Sequence, residues 1–568
     1  MKNNTVLKKF FIPIRLNDKE YMIINPAIML FFLSLAVLVW KIPYGWGAYD
    51  EPFYIATPYR FVISNDAFFS DEWNLAQLSS FILLVPVRLY KIFFPDMEGV
   101  ILSFRILYTT VHIFFSGVTA FLLKEKRTAG IIAAVFYMLF IPFNIMNFSY
   151  DAMGLESITF LALLIYTKKE PGKKVLFLIG MLFAFAVLCN PYLVILFVAY
   201  IFTLILYIKR KMVIRYLNMH DMLWIFLGIL LPAVIFLLFL FSRTNISEIM
   251  QNLPFIFNDP THGKVSLAGK LESTLKEMNR LYSPWIYFWV VLVLCQIIDK
   301  ERYRRKAVYT LFASMIFVLT VFRFAISVVV NCYMLPFALF GINIYLISEK
   351  QNRRTLFLWF AGLIYGIFMW IASDQGIYIV SMAMLISVIA SMLMIWDTYQ
   401  EAGDERLKLF YIFVFVVQIM MEIIGLSRST HWESVRTEQL DTVYERGPLK
   451  GLRSTKDKVD IYYLLLDDIE EYKDDSGERV AFLTLNTWED LYIGRPYGTF
   501  SAWLGYTDVF VADKFLGWCK LHPDKMPKDI YFSKLEEAQW SEDDIDRIAD
   551  KLEYEIIESE ISYKLLKQ

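Results

Sequence analysis

Cysteine is scarce in this sequence, and its spacing offers no pairing. The four cysteines among 568 residues are Cys189, Cys295, Cys332 and Cys519. Three lie in apolar segments and the fourth has no nearby partner, which leaves no disulfide framework and no thiolate metal site. There is no internal repeat and no low-complexity tract. No cleavable signal peptide is expected either, since the start (MKNNTVLKKFFIPIRLNDKEY) is polar and basic. The first apolar run lacks a small-residue cleavage pattern, so it is expected to stay as a helix. No stretch has metal-ligand spacing, so no metal or other cofactor is expected. Nothing in the chain points to nucleic acid.

Apolar residues, by contrast, are in excess. They make up 57% of the chain, and aromatics alone 17%, against about 45–50% apolar in a soluble domain. Runs such as INPAIMLFFLSLAVLVW and MLWIFLGILLPAVIFLLFLF are too long for soluble core helices and long enough for a bilayer core of about 30 Å. Spans are expected at 23–43, 100–123, 127–148, 152–167, 174–189, 191–208, 222–242, 284–298, 306–329, 331–348, 355–373, 377–396 and 408–427. The fold class expected is therefore an all-α polytopic membrane protein of about thirteen transmembrane helices. The basic connections KEKR, KKEPGKK, KRK, KERYRRK and EKQNRR then all fall on the side of the N-terminus, as cytoplasmic loops should.

The net charge of −1 hides a polarity. From His431 onward there are 30 acids and 18 bases, leaving 27 acids and 38 bases before it. Two portions are expected: a membrane domain over 1–429, with outer loops at 44–99 and 243–283, and a small α/β extracytoplasmic domain over 430–568. In the tail, Val459, Tyr462, Leu466 and Ile469 recur at helical spacing after Ser454, a possible N-cap. VAFLTL and DIYF read as strands. A last helix starts at Ser541 with acids in its first turn and Ile545, Ile548 and Leu552 as its apolar stripe. The segment LAQLSSFILLVPVRLYKIFF is expected to lie in the membrane interface, since Arg88 and Lys91 suit that place and another span would break the loop-charge pattern.

Chemistry is expected at the outer face. Asp50 and Glu51 stand side by side just past the first span, in a loop dense in aromatics that includes Tyr54. Partial desolvation there strengthens a carboxylate as a base; the plainer alternative is a solvated loop acid. Asp151 stands where the third span gives way to the fourth, with helix capping as its ordinary role, and Glu156 lies deeper. Arg60, Arg88, Arg105 and Arg323 are the outer-side cations, with His262 and Lys264 looser candidates. A guanidinium holds phosphate through its planar fork of donors, while anchoring and ion pairing are the structural alternatives. Carboxylates and arginines together suit a lipid-phosphate substrate.

In these stretches the sequence resembles the GT-C fold glycosyltransferases, the polytopic class that uses polyprenyl-phosphate sugars and includes protein O-mannosyltransferases and aminoarabinose transferases. The resemblance covers roughly 23–345 and rests on DEPFYIA, SFRILYTTVHIFFSGVTAFLL, YDAMGLESITFLALLIY, GKKVLFLIGMLFAFAVLCNPYLVIL and NCYMLPFALF. It implies Asp50 as catalytic base, Glu51 beside it, and Asp151 as a second active-site acid. Arg105 would be a structural or phosphate-side cation. Tyr54, Arg60, Arg323, Asn190, Tyr333, His262 and Lys264 would be on the substrate side. Asn190 and Asn331 depart from the pattern, standing where Lys and Arg are common. The partners implied are a polyprenyl-phosphate sugar and an envelope acceptor in a bacterial inner membrane, with the N-terminus cytoplasmic. The lack of a soluble nucleotide-sugar domain argues against a nucleotide sugar as donor. Two other readings compete: a transporter or lipid flippase, which predicts discontinuous helices and inverted repeats, and a non-catalytic assembly protein.

Overall fold

The computed structural model describes residues 11–16, 19–47, 49–210, 216–257, 266–326, 331–430, 433–473, 477–505, 507–535 and 540–567. A hairpin, Phe11–Leu16 against Lys19–Ile24, leads into the first helix, Pro26–Lys41. That helix lies within the apolar run 23–43. The Asn25 side chain accepts from the Ala27 amide at 3.0 Å, and Pro26 occupies the first helical position, where no amide is missed.

Among the described residues, seven helices are long and apolar enough to cross a membrane. They are Leu75–Phe93, Val100–Leu122, Pro191–Lys209, Met219–Phe241, Lys306–Phe324, Arg353–Ala372 and Glu405–Arg428. Two bent pairs, Leu267–Tyr282 with Trp285–Ile298 (95°) and Gly376–Ala383 with Leu385–Glu401 (50°), raise the number to nine. The chain is thus a multi-pass membrane protein; among the described residues, not all of the thirteen expected apolar runs form helices that pass this length and composition test. Several runs form helices of 10–17 residues instead, among them Pro26–Lys41 and Met334–Ile347. Leu75–Phe93, assigned from its charges to the interface, passes the same length and composition test as the other spans. Large apolar side chains stay exposed along these helices, as at Phe202, Leu238 and Phe312. That pattern suits lipid as solvent, since hydrocarbon costs an exposed Leu or Phe nothing.

Small residues set the closest packing. A Cβ on Gly180 would lie 2.0 Å from the Ile225 carbonyl oxygen, and one on Gly228 would lie 2.0 Å from that of Phe177. Helices Lys173–Cys189 and Met219–Phe241 therefore touch backbone to backbone, the contact that drives helix pairing in lipid.

The tail carries a four-stranded sheet. Val480–Phe482 runs parallel to Asp529–Ser533, which pairs antiparallel with Ser562–Lys567, and Tyr554–Glu558 closes the edge. The two expected strands and both expected helices are present. Thr455, not Ser454, precedes helix Lys456–Ile469; Ser454 is taken up in a short strand pair with Thr442 and donates to Glu433. The Ser541 side chain caps Glu542–Leu552 as expected. The final two strands escaped the sequence reading because they follow the helix with only one residue between, Glu553, in the left-handed region. The tail is packed into the rest of the molecule: Tyr444, Tyr462 and Trp488 belong to the same apolar cluster as the helix residues Phe136 and Phe337.

Gly180→Leu or Gly228→Leu is expected to push the two helices apart. Each should lower the thermal midpoint of the purified protein in detergent, whereas Gly117→Leu, where a Cβ meets nothing within 4 Å, should leave it unchanged.

Candidate active site

The site is built on a buried ion pair. Arg105, in the second turn of Val100–Leu122, donates from Nε to Glu51 Oε1 at 2.5 Å and from Nη2 to Glu51 Oε2 at 2.6 Å. Its Nη1 donates to the carbonyls of Ile42 (2.8 Å) and Tyr44 (3.3 Å). Glu51 is fully buried and also accepts from the Gly47 amide at 3.0 Å. One guanidinium thus ties the end of the first helix to the loop that follows, using the fork geometry that lysine lacks. Glu51 is engaged in this clamp. Of the Asp-Glu pair, Asp50 is the half-exposed member.

Asp151 lies in the first turn of Tyr150–Thr167, but the capping role belongs to Ser149, whose side chain accepts from the Ala152 amide at 3.0 Å. The Asp151 carboxylate is therefore left over. It is buried, its Oδ1 has no hydrogen-bond partner, and the positive end of the helix favours a negative charge there. Asp50 and Asp151 are close enough for the charge of one to act on the other. The chain reaches Asp151 through a strained segment. Phe143 and Asn144 have φ of 52° and 57°, a region that a bulky residue adopts only under constraint. Asn331, itself at φ 62°, supplies that constraint by accepting from the Phe143 amide at 3.1 Å. The Asn144 amide donates to the Gly425 carbonyl at 2.9 Å and the Ser429 hydroxyl at 2.7 Å.

Aromatic rings border the acids. Tyr54 and Tyr150 both sense the charges of Asp50 and Asp151, and their ring centroids are 6.0 Å apart. Phe53 stacks on Trp503 of the tail at 5.2 Å, and these rings form one apolar cluster with Ile145. Tyr365, whose buried hydroxyl has no partner, and Cys189 also fall within reach of the Asp151 charge. A Cβ on Gly154 would come within 3.1 Å of both, so glycine lets these helices close around Asp151. Sequence reasoning missed Trp503 and Tyr365, which join the site only through tertiary packing. It also missed His112, whose Nδ1 lies 3.0 Å from Glu156 and Nε2 3.0 Å from the Tyr137 carbonyl. A signal for His112 existed: it follows Arg105 by seven residues, on the same face of the helix.

The remaining candidates are dispersed. Arg60 is fully buried where loop and tail meet. It donates to Asp66 Oδ2 at 2.7 Å and to the Thr499 carbonyl at 2.6 Å, with Glu72 at 3.6 Å. Arg479 of the tail grips Asp66 from the other side at 2.6 Å. Burial opposes the charge on Asp66, but the Arg60 and Arg479 guanidiniums hold its carboxyl well below the usual carboxylate range. Burial wins at Asp490, nearby in the tail, and pushes its carboxyl well up despite Arg60. Arg323 ties down the end of helix Leu267–Tyr282 by donating to the carbonyls of Ser283 and Arg280. Asn190 accepts from the Tyr192 amide at 3.2 Å, capping the turn after the helix break. Tyr333 is buried, its hydroxyl 3.0 Å from where a Cβ on Gly425 would lie. His262 and Lys264 lie outside the described residues. Arg60, Arg105 and Arg323 are thus engaged with protein groups, whereas Arg88 is exposed on helix Leu75–Phe93. Among the described residues no three His, Cys, Asp or Glu gather as metal ligands.

No family model and no curated protein matches the chain. Among solved structures it is similar to the oligosaccharyltransferase AglB of Archaeoglobus fulgidus in complex with an inhibitory peptide and a dolichol-phosphate. The identity is 12%, with 90% of this chain and 69% of that one covered at a TM-score of 0.44. It is similar also to the Archaeoglobus fulgidus oligosaccharyltransferase tethered to an acceptor peptide through a disulfide, at 12% identity, 89% and 69% coverage and a TM-score of 0.43.

Two outcomes test this electrostatic scheme. Arg105→Ala should destabilise the protein by roughly 3–5 kcal/mol, because it strands a buried carboxylate, and Arg105→Lys should recover only part of that loss in thermal unfolding. A depressed carboxyl stabilises at pH above its unfolded value, and a raised one costs stability as pH climbs past it. Asp66→Asn is therefore expected to lower the midpoint throughout pH 5–8. Asp490→Asn should raise it at pH 8 and lose that advantage near pH 4.

Proposed function

We propose that this chain is a membrane glycosyltransferase. It would move a sugar from a polyprenyl-phosphate donor to an envelope acceptor at the outer face of a bacterial inner membrane. The observation that carries the reading is the pairing of half-exposed Asp50 with buried Asp151 beside a wall of aromatic rings at the mouth of a membrane bundle. Carboxylates bind and deprotonate hydroxyls, and aromatic faces take the apolar C–H faces of sugars.

In this reading an acceptor hydroxyl gives its proton to Asp50 and attacks the anomeric carbon, while Asp151 orients the acceptor through a neighbouring donor group. The bond from that carbon to the phosphate oxygen breaks, the phosphate leaves with the electron pair, and the configuration inverts. A phosphate needs little acid help to leave, so a second carboxyl acting as general acid, as in glycoside hydrolysis, is not required. Tyr54, Tyr150 and Trp503 would bracket the sugar. Glu51 and Arg105 serve as positioning residues that hold the Asp50 loop. The same reading puts the N-terminus in the cytoplasm and the domain from about residue 430 outside.

A transport reading draws on other acids. Glu422 is fully buried, takes one hydrogen bond from Gln418 at 3.0 Å and leaves Oε2 without a partner. Buried acids at membrane depth serve proton or ion paths, and the two bent helix pairs are discontinuous in the way transport predicts. The two readings separate on bond cleavage. With polyprenyl-phosphate sugars supplied in proteoliposomes, the transferase releases polyprenyl phosphate, whereas a flippase moves the intact lipid.

Asp50→Asn should lower that release by about 10²–10⁴-fold without shifting the thermal midpoint, and Trp503→Ala should raise KM more than it lowers kcat. Full activity in Asp50→Asn would remove Asp50 from the chemistry. Unchanged phenotypes in both Asp50→Asn and Asp151→Asn would favour an assembly protein.

A further inference from the structure

At the far end of the Arg105 helix the chain forms a second concavity, of about 300 Å³. Nineteen residues of mostly helical rise separate Lys124 from Arg105, about 28 Å along the axis, so this pocket opens on the side of the basic loops. Lys124, Lys126, Lys168, Lys169 and Arg354 line it, with Glu125 as the one acid in its wall. Basic residues collect on this side in any membrane protein, so their presence alone decides nothing.

Their convergence on one cavity without matching carboxylates does. Several cations elsewhere on the same side are paired, among them Arg305 with Asp299 and Glu301, Lys306 with Glu349, Lys350 with Glu401, and Lys408 with Glu405. Within the pocket Lys126 is paired with Asp397 at 2.5 Å. Among the described residues, Lys124, Lys168, Lys169 and Arg354 have no carboxylate within ion-pair distance. Four like charges around one cavity repel each other unless an anion joins them.

The rim shows what carries that anion. Lys124 sits over the Phe121 ring at 4.6 Å, and Phe121 is 62% exposed. Phe114, one heptad earlier on the same face, is 65% exposed. An apolar track on the lipid-facing side of Val100–Leu122 thus leads to a basic cavity at the membrane surface. A ligand with a phosphate at one end and hydrocarbon at the other fits both parts, and basic pockets between helix ends are the usual seats of such headgroups.

We propose that this cavity is a binding site for the phosphate headgroup of an anionic membrane phospholipid, separate from the candidate active site. The test uses the full-length protein purified in detergent, exchanged into bilayers of phosphatidylglycerol or of phosphatidylcholine, with retained lipid read by native mass spectrometry. The wild type should keep phosphatidylglycerol in preference to phosphatidylcholine. The variant carrying Lys124→Gln, Lys168→Gln and Arg354→Gln should lose at least about tenfold in retention. Should the triple variant fold poorly, Lys169→Glu alone, on an exposed side chain, should give a smaller loss in the same direction. Equal retention by wild type and variants overturns the site. Binding of inorganic phosphate by the wild type, lost in the variants and without any preference for phosphatidylglycerol, overturns the lipid source and leaves a site for free phosphate.

Discussion

The loop that carries Asp50 depends on one guanidinium held inside protein. Arg105 satisfies both oxygens of Glu51 and two carbonyls at the end of the first helix, so the loop carrying Asp50 cannot drift from the bundle without leaving a charge buried and unpaired. A buried pair of this kind is seldom a large net source of stability, because desolvation offsets most of its attraction. What it supplies is register: few other arrangements of the loop satisfy all of those donors. The strained turn at Phe143 and Asn144 does the same for Asp151, with Asn331 as its brace. Two acids far apart in sequence are thus held by separate devices in one neighbourhood.

The tail takes part in this arrangement. Asp66 lies between Arg60 of its own loop and Arg479 of the tail, Glu72 accepts from Ser501 and the Ala502 amide, and Trp503 stacks on Phe53. An acidic sequence after residue 430 suggested a separate soluble unit. At the junction the basic side chains of the tail, Arg479 and Lys525, meet the acids Asp66 and Asp71 of the first loop.

Much of this was legible in the sequence where local chemistry decides. Apolar runs gave the helices, Ser541 gave the start of the last one, and DIYF gave a strand. Asp50 and Asp151 could be singled out because each stands at the edge of an apolar run. Long-range geometry was not legible. Nothing local says that Arg60 turns toward Asp66, that Arg323 ties down a neighbouring helix, or that Ser149 relieves Asp151 of capping. Helix length was not legible either: hydropathy registers an apolar stretch but not how long its helix is. The bent pair at Leu267–Ile298 keeps its composition while changing direction by 95°.

The stacking of Trp503 on Phe53 also orders events in time. The two rings are 450 residues apart in sequence, so a ribosome must have passed Trp503 before Phe53 acquires its partner ring. Maturation of the site is thereby coupled to delivery of the tail to the same side of the membrane, and a chain whose tail is stranded on the wrong side stays unfinished.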